Sequence, residues 1–310
     1  MTDHCNRRFP YDYPHHHFHG PHPRPAVPLR ATVFVSRWPN VPAVEFPGIP
    51  DGTFSPTTAI LISGATEIVL IDALYLKDDV QDLGDLIERT GKKLTTIYIT
   101  HDHQDHYLGI GPLQERFPDV KCVALPHVIE SMKETMDLQT MQWNLLFGDA
   151  VIPAGPLPEP LDGHTLYVDG SPLNIIEVKQ ADVHPTTIVH IPDIDTVIAG
   201  DSIYNEIYPM LGLSTPAEWQ DWLDTIDVVE KLQPKMIVCG HRRPDGDDYA
   251  VETMIAQTRS YIQDFIAAFP TAKDADDLVA TMSAKYPNHA NLWTLQFSAI
   301  NAIAARDGAQ

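Results

Sequence analysis

The stretch Thr100-His101-Asp102-His103-Gln104-Asp105-His106 follows directly on the apolar run Leu94-Thr95-Thr96-Ile97-Tyr98-Ile99. A β-branched, aromatic-containing run of that length predicts a buried strand, so the polar cluster sits on the loop leaving its C-terminal end, where open α/β sheets place their ligand sites. Three histidines and two aspartates fall within seven positions. His101 and His103 alternate on one side of an extended segment, while Asp105 and His106 fall at the turn into the next helix. Four side chains of metal-binding type can therefore converge from two directions. Asp102 is the odd member and is expected to be exposed.

One loop cannot complete two metal shells, and further ligand types stand at later strand ends. His184 follows the strand-like Leu173–Val178 and precedes Thr187–Ile191; Asp201 ends Thr196-Val197-Ile198-Ala199-Gly200; His241 ends Met236-Ile237-Val238-Cys239-Gly240. A glycine stands immediately before two of the three, where it lets the backbone approach closely and aims the next side chain into a cleft.

With these residues in place the chain resembles the metallo-β-lactamase superfamily over about residues 30–245. Asp72, after the strand Glu67–Ile71, is similar to that superfamily's first motif, a structural acidic residue. His101, His103, Asp105 and His106 match its HxHxDH motif, His184 its third-motif histidine, Asp201 its bridging aspartate and His241 its last histidine. The resemblance implies an α+β fold, the four-layer αβ/βα sandwich, with a C-terminal helical extension. It also implies that His101, His103 and His184 hold one metal, that Asp105, His106 and His241 hold a second, and that Asp201 bridges them. Nitrogen and oxygen donors without thiolate suit two Zn²⁺ ions, and Mn, Fe or Co would fit as well. Two such ions, usually about 3.5–4 Å apart, would lower the pKa of a shared water towards ~7 and so supply a hydroxide to attack a carbonyl, with Asp105 or the second metal handling the leaving group's proton and charge.

Within the superfamily, Asp201 points away from true β-lactamases and towards thioester, ester, lactone and phosphodiester hydrolases. Tyr204, three residues after it, resembles the tyrosine of N-acyl-homoserine lactone hydrolases that hydrogen-bonds the substrate carbonyl; its alternative role is a pocket wall. Glyoxalase-II-like thioesterases are the competing reading, but Asn205–Leu211 lacks the basic residues with which those enzymes grip glutathione. Arg242 and Arg243 are expected to pair with Asp245, Asp247 and Asp248. An iron-dependent oxidoreductase of the same fold is a further alternative, disfavoured by the complete second ligand set.

Forty-two acidic against twenty-one basic residues leave a net charge of −21, which repels polyanions and disfavours nucleic acid as a partner. The expected substrate is a small molecule, neutral and partly apolar. Cys122 and Cys239 lie inside apolar strands and read as buried thiols, and Cys5 has no CxxC partner. Without a signal-peptide pattern or a run of ~20 apolar residues, a cytoplasmic protein with no membrane partner is expected.

Residues 1–28 hold six of the fifteen histidines among closely spaced prolines. This composition predicts an extended or disordered arm, able to bind metal loosely or to pack on a partner subunit in a homodimer. Residues 29–310 read as one domain. Within it, residues 137–163 carry Met141, Trp143 and Phe147 ahead of a proline-rich connection, which suits a substrate-covering flap, a dimer contact, or a helix packed on the core. The three residues are candidate substrate contacts. From about residue 247 onward, three amphipathic stretches predict C-terminal helices. His289, in the turn between two of them, is expected to be exposed, and His164 and His190 to lie beside the metal site or in the core.

Overall fold

The computed structural model describes residues 27–39 and 54–308. The His/Pro-rich arm therefore lies almost wholly outside the described residues. The chain runs β1 (Arg30–Val35), β2 (Thr58–Ser63), β3 (Glu67–Ile71), α1 (Lys77–Arg89), β4 (Lys93–Tyr98), α2 (Gln104–Tyr107), α3 (Ile110–Arg116), β5 (Lys121–Ala124) and α4 (Pro126–Phe147). It continues through β6 (Glu159–Pro160), β7 (Thr165–Val168), β8 (Ser171–Val178), β9 (Thr186–Ile191), β10 (Thr196–Gly200), α5 (Pro216–Lys231), β11 (Met236–Cys239), α6 (Val251–Ala268), α7 (Ala275–Lys285) and α8 (Leu292–Asp307).

Two sheets result, in the orders β1-β2-β3-β4-β5-β6 and β11-β10-β9-β8-β7. The alternation of side chains along each strand divides the second sheet between two cores. Leu173, Ile175, Val189, Ile191, Ile198 and Val238 pack towards the first sheet. Their neighbours Ile188, Val197, Ala199, Ile237 and Cys239 pack instead with side chains of α5, α6, α7 and α8, including Trp219, Trp222, Phe265 and Leu295. Both faces of the central strands are thus apolar and covered, which is why they read as continuous hydrophobic runs. The layers are helix, sheet, sheet, helix, the expected four-layer sandwich. Among the described residues, no helix is long and apolar enough to cross a membrane.

Two isolated bridges tie the sheets together at one end. Backbone pairing of His101 with Thr186 joins the loop after β4 to the start of β9, and pairing of Thr57 with His241 joins the approach to β2 to the loop after β11. The helix that follows the ligand loop is broken into α2 and α3. At the break, Gly109 N donates to Leu74 O at 2.9 Å, and a Cβ on Gly109 would stand 1.9 Å from Ala73 O. The opposing turn holds Asp72 and Leu74 at positive φ, 60° and 62°. Backbone of this kind costs of order 1–3 kcal/mol per residue, and it persists here because the surrounding hydrogen bonds fix it. The 137–163 stretch resolves into the second half of α4 followed by an irregular connection that enters β6.

Candidate metal centre

The loops at the C-terminal ends of β4, β8, β10 and β11 converge on one buried place. Ligand atoms of His101, His103, Asp182 and Asp201 lie within 4.8 Å of one another, and so do those of Asp105, His106 and His241. His241 Nε2 stands 3.2 Å from Asp105 Oδ2 and 3.2 Å from Asp201 Oδ2; His106 Nε2 stands 3.4 Å from Asp201 Oδ1. Asp201, grouped with His101, His103 and Asp182, thus also lies against two histidines of the other set, as a bridging residue must. Gly240 is required by this closeness, since a Cβ there would lie 2.0 Å from Asp201 Oδ1 and 2.9 Å from His106 Cε1.

Each imidazole is aimed by its far nitrogen. His106 Nδ1 is 2.9 Å from Asp72 Oδ2. Asp72 also accepts from the Thr100 backbone N at 2.9 Å and from Thr100 Oγ1, which in turn lies 2.9 Å from His101 Nδ1. His241 Nδ1 contacts Ser55 Oγ at 2.9 Å and Pro56 O at 3.1 Å, and Ser55 Oγ itself accepts from Asn291 Nδ2 at 3.1 Å. With Nδ1 so engaged, His101, His106 and His241 turn Nε2 to the centre, the arrangement that fixes tautomer and direction in metal-binding histidines.

The residues fit a metal on two independent grounds. His101 Nε2, His106 Nε2, Asp182 Oδ2 and Asp201 Oδ1 are buried and have no aligned hydrogen-bond partner, and four such atoms in one place would be costly unless a cation satisfied them. The charge balance points the same way. Burial draws the His103 and His106 pKa values down, yet the adjacent carboxylates, Asp182 for His103 and Asp105 with Asp201 for His106, outweigh it and lift them to about 10 and about 9. Burial likewise pushes Asp105 and Asp201 up, and the surrounding imidazoles more than reverse it. Three buried carboxylates demand positive charge, and divalent ions supply it without protonating the ligands.

The structure relocates several residues singled out in the sequence. His184 is exposed and belongs to neither cluster; Asp182, two residues earlier, occupies the inner position with its side chain 1% exposed. The loop between β8 and β9 turns the aspartate inward and the histidine to solvent. Asp102, expected to be exposed, is buried: Oδ2 accepts from Ser131 Oγ at 2.7 Å and Thr135 Oγ1 at 3.1 Å, fastening the ligand loop to α4. Tyr204 reaches the site, but its hydroxyl donates to Asp201 Oδ2 at 3.1 Å and its ring stacks on His241. Burial, reinforced by Asp201, raises the Tyr204 pKa well above the ordinary phenol, so it remains a donor.

Trp143 and Phe147 join Phe54 in an aromatic group, Phe54 lying 5.3 Å from Trp143, 5.9 Å from Phe147 and 5.6 Å from His241 between ring centres. Phe54 was not anticipated. Met141 does not join them: it lies on the other face of α4 with Leu138 and Leu145, and is 63% exposed. Arg242 pairs with Asp248, and Arg243 with Asp245 at 3.1 Å, as the charge pattern suggested. His164 forms a surface pair with Glu177 at 2.6 Å, and His190 is half-buried on β9, so neither adds to the centre. His289, expected in solvent, is half-buried against Tyr208, Tyr261 and Tyr286.

A sandwich of two sheets with histidines and aspartates gathered at one end defines the metallo-β-lactamase fold. Residues 52–241 match the model of the metallo-beta-lactamase superfamily, and the chain belongs to that superfamily, whose members are mostly metal-dependent hydrolases. Its structure is similar to that of a metallo-beta-lactamase family protein from Thermus thermophilus, at 16% identity and a TM-score of 0.60 over 89% of this chain and 94% of the other. It is also similar to a metallo-beta-lactamase from Pontibacter korlensis, at 17% identity and a TM-score of 0.53 over 75% of this chain and 99% of the other. No curated protein matches the chain.

Proposed function

We propose that this protein is a dinuclear-metal hydrolase acting on the carbonyl of a lactone or ester with an apolar acyl or ring portion. The observation that carries the reading is the convergence of seven histidine and aspartate side chains, four of whose buried donor atoms have no aligned hydrogen-bond partner. His101, His103, Asp182 and Asp201 would hold one ion; Asp105, His106, His241 and Asp201 would hold the other. Two divalent ions supply a water of lowered pKa and an electrophile for a carbonyl oxygen.

The remaining work falls to the protein. Asp72, Thr100 and Ser55 fix the imidazoles, and Tyr204 holds Asp201 by donating to it. Asp105 is kept anionic by His106 and His241. In this reading Asp105 would take the proton of an attacking water and return it to the departing oxygen. Phe54, packed with Trp143 and Phe147, lies against His241, an apolar neighbour that would favour an apolar substrate over a charged one. Arg242 and Arg243 are already paired with carboxylates, so the site offers neither of them to an anionic group such as a glutathione carboxylate.

The test is a substrate screen on metal-loaded protein with lactones, aryl esters, glutathione thioesters, β-lactams and phosphodiesters, with and without chelator. Chelator-sensitive turnover of lactones or aryl esters is expected. Faster turnover of glutathione thioesters would replace this reading with a thioesterase, and oxygen uptake with one bound iron would replace hydrolysis altogether.

A further inference from the structure

From the position of the β8–β9 loop we infer that Asp182, and not His184, is the third ligand of the first ion, giving a centre of two matched halves that each carry two imidazoles and one carboxylate of their own. This rests on the dinuclear reading above and specifies it. Asp182 Oδ2 lies 2.7 Å from His103 Nδ1, and a ligand atom of Asp182 lies within 4.8 Å of those of His101, His103 and Asp201, close enough for one ion to take all four. The other oxygen, Oδ1, accepts from the backbone N of Val183 at 2.9 Å, which holds the carboxylate in that orientation. His184 is exposed and belongs to neither group of ligand atoms.

The halves then correspond: His101, His103 and Asp182 on one side, Asp105, His106 and His241 on the other, with Asp201 shared. Three carboxylates against two divalent ions leave one net positive charge, where a histidine in the third position would leave two. An added carboxylate oxygen in place of an imidazole nitrogen makes the first half a harder donor set. Such a two-histidine, one-carboxylate set shifts preference towards Mn²⁺ and Fe²⁺ relative to Zn²⁺.

The experiment measures metal rather than turnover. Chelator-stripped wild type, D182A, D182N, D182H and H184A are titrated separately with Zn²⁺ and with Mn²⁺ by calorimetry, and bound metal is counted by mass spectrometry after gel filtration. Wild type and H184A should each hold two ions per chain. D182A and D182N should hold one, or bind the second ~10–100-fold more weakly, at least the effect of losing a residue that merely supports a ligand. D182H should hold two while losing Mn²⁺ affinity relative to Zn²⁺. Loss of an ion in H184A, whose surface position leaves folding untouched, would overturn the assignment, as would full affinity in D182N. An unchanged Mn²⁺ to Zn²⁺ ratio in D182H would overturn the shift in preference. A wild type that binds no divalent ion would instead refute the dinuclear reading itself.

Discussion

Replacing Asp72 by asparagine changes one atom's chemistry while leaving shape and backbone preference intact, since asparagine tolerates the positive φ of 60° found there. The aspartate accepts from the Thr100 backbone N, from Thr100 Oγ1 and from His106 Nδ1. An asparagine has one acceptor oxygen. If it keeps the Thr100 backbone N, its amide NH₂ confronts His106 Nδ1 at about 2.9 Å, the distance the carboxylate now occupies. Two donors cannot face each other there, so His106 must shift its proton to Nε2, the atom aimed at the second ion. Metal binding then requires expelling that proton or leaving a buried donor unsatisfied, a cost of about 1–3 kcal/mol. The expected loss is ~10–100-fold in affinity for one equivalent, or ~1.4–2.8 kcal/mol. Competition with a chromophoric chelator on stripped protein measures it, with circular dichroism as the check on folding. A folded D72N that binds both equivalents within about twofold of wild type would show that the tautomer of His106 is not set by Asp72.

Three further outcomes follow from the geometry. G240A places a methyl group on Asp201 and His106, and metal content should fall below two per chain while the far-ultraviolet spectrum is kept; two tightly bound ions would mean the loop relaxes freely. Y204F removes a donor from a buried carboxylate, worth ~1.5–3 kcal/mol, so metal affinity and kcat should fall together with KM nearly constant; a raised KM at unchanged metal affinity would return the hydroxyl to the substrate. Burial among Tyr208, Tyr261 and Tyr286 lowers the His289 pKa to about 4 against an ordinary value near 6.5. Above ~6.5 both folded and unfolded forms are neutral and the contribution is whole; as pH falls through the interval to 4 the unfolded chain takes the proton first, and of order 2–3 kcal/mol is lost. Urea melts from pH 7 to 4 should show H289Q losing less stability than wild type, and parallel curves would refute the assignment.

The strands were legible because the central ones are buried on both faces and so appear as apolar runs, as in residues 68–71 and in Met236–Cys239. The helix α5 escaped notice although Thr215-Pro216-Ala217-Glu218 carries its start: proline at the first helical position, and Glu218 Oε2 accepting from the Thr215 backbone N at 2.6 Å. The ligand loop could be read from spacing since its residues project from one continuous strand end. Asp182 could not be read with the same ease, because a histidine two residues later fits the expected pattern and a loop's sequence does not state which side chain it turns inward. The signal that was present is Ala181-Asp182, a small residue directly before a ligand, as in Gly200-Asp201 and Gly240-His241. Nothing next to Asp102 in the sequence marks it as buried, because its partners, Ser131 and Thr135, lie about thirty residues downstream on α4.

The link from Asn291 through Ser55 to His241 changes what counts as the catalytic unit. The superfamily match ends at residue 241, yet the last histidine of the centre is steadied by a serine that is held in turn by the residue preceding α8. A chain cut after residue 290 would keep every proposed ligand and lose the donor that holds Ser55, one of the two groups against His241 Nδ1. The C-terminal helices therefore cannot be exchanged as an independent module between relatives, and a graft that ignores Asn291 should yield a folded sandwich whose second ion is held loosely.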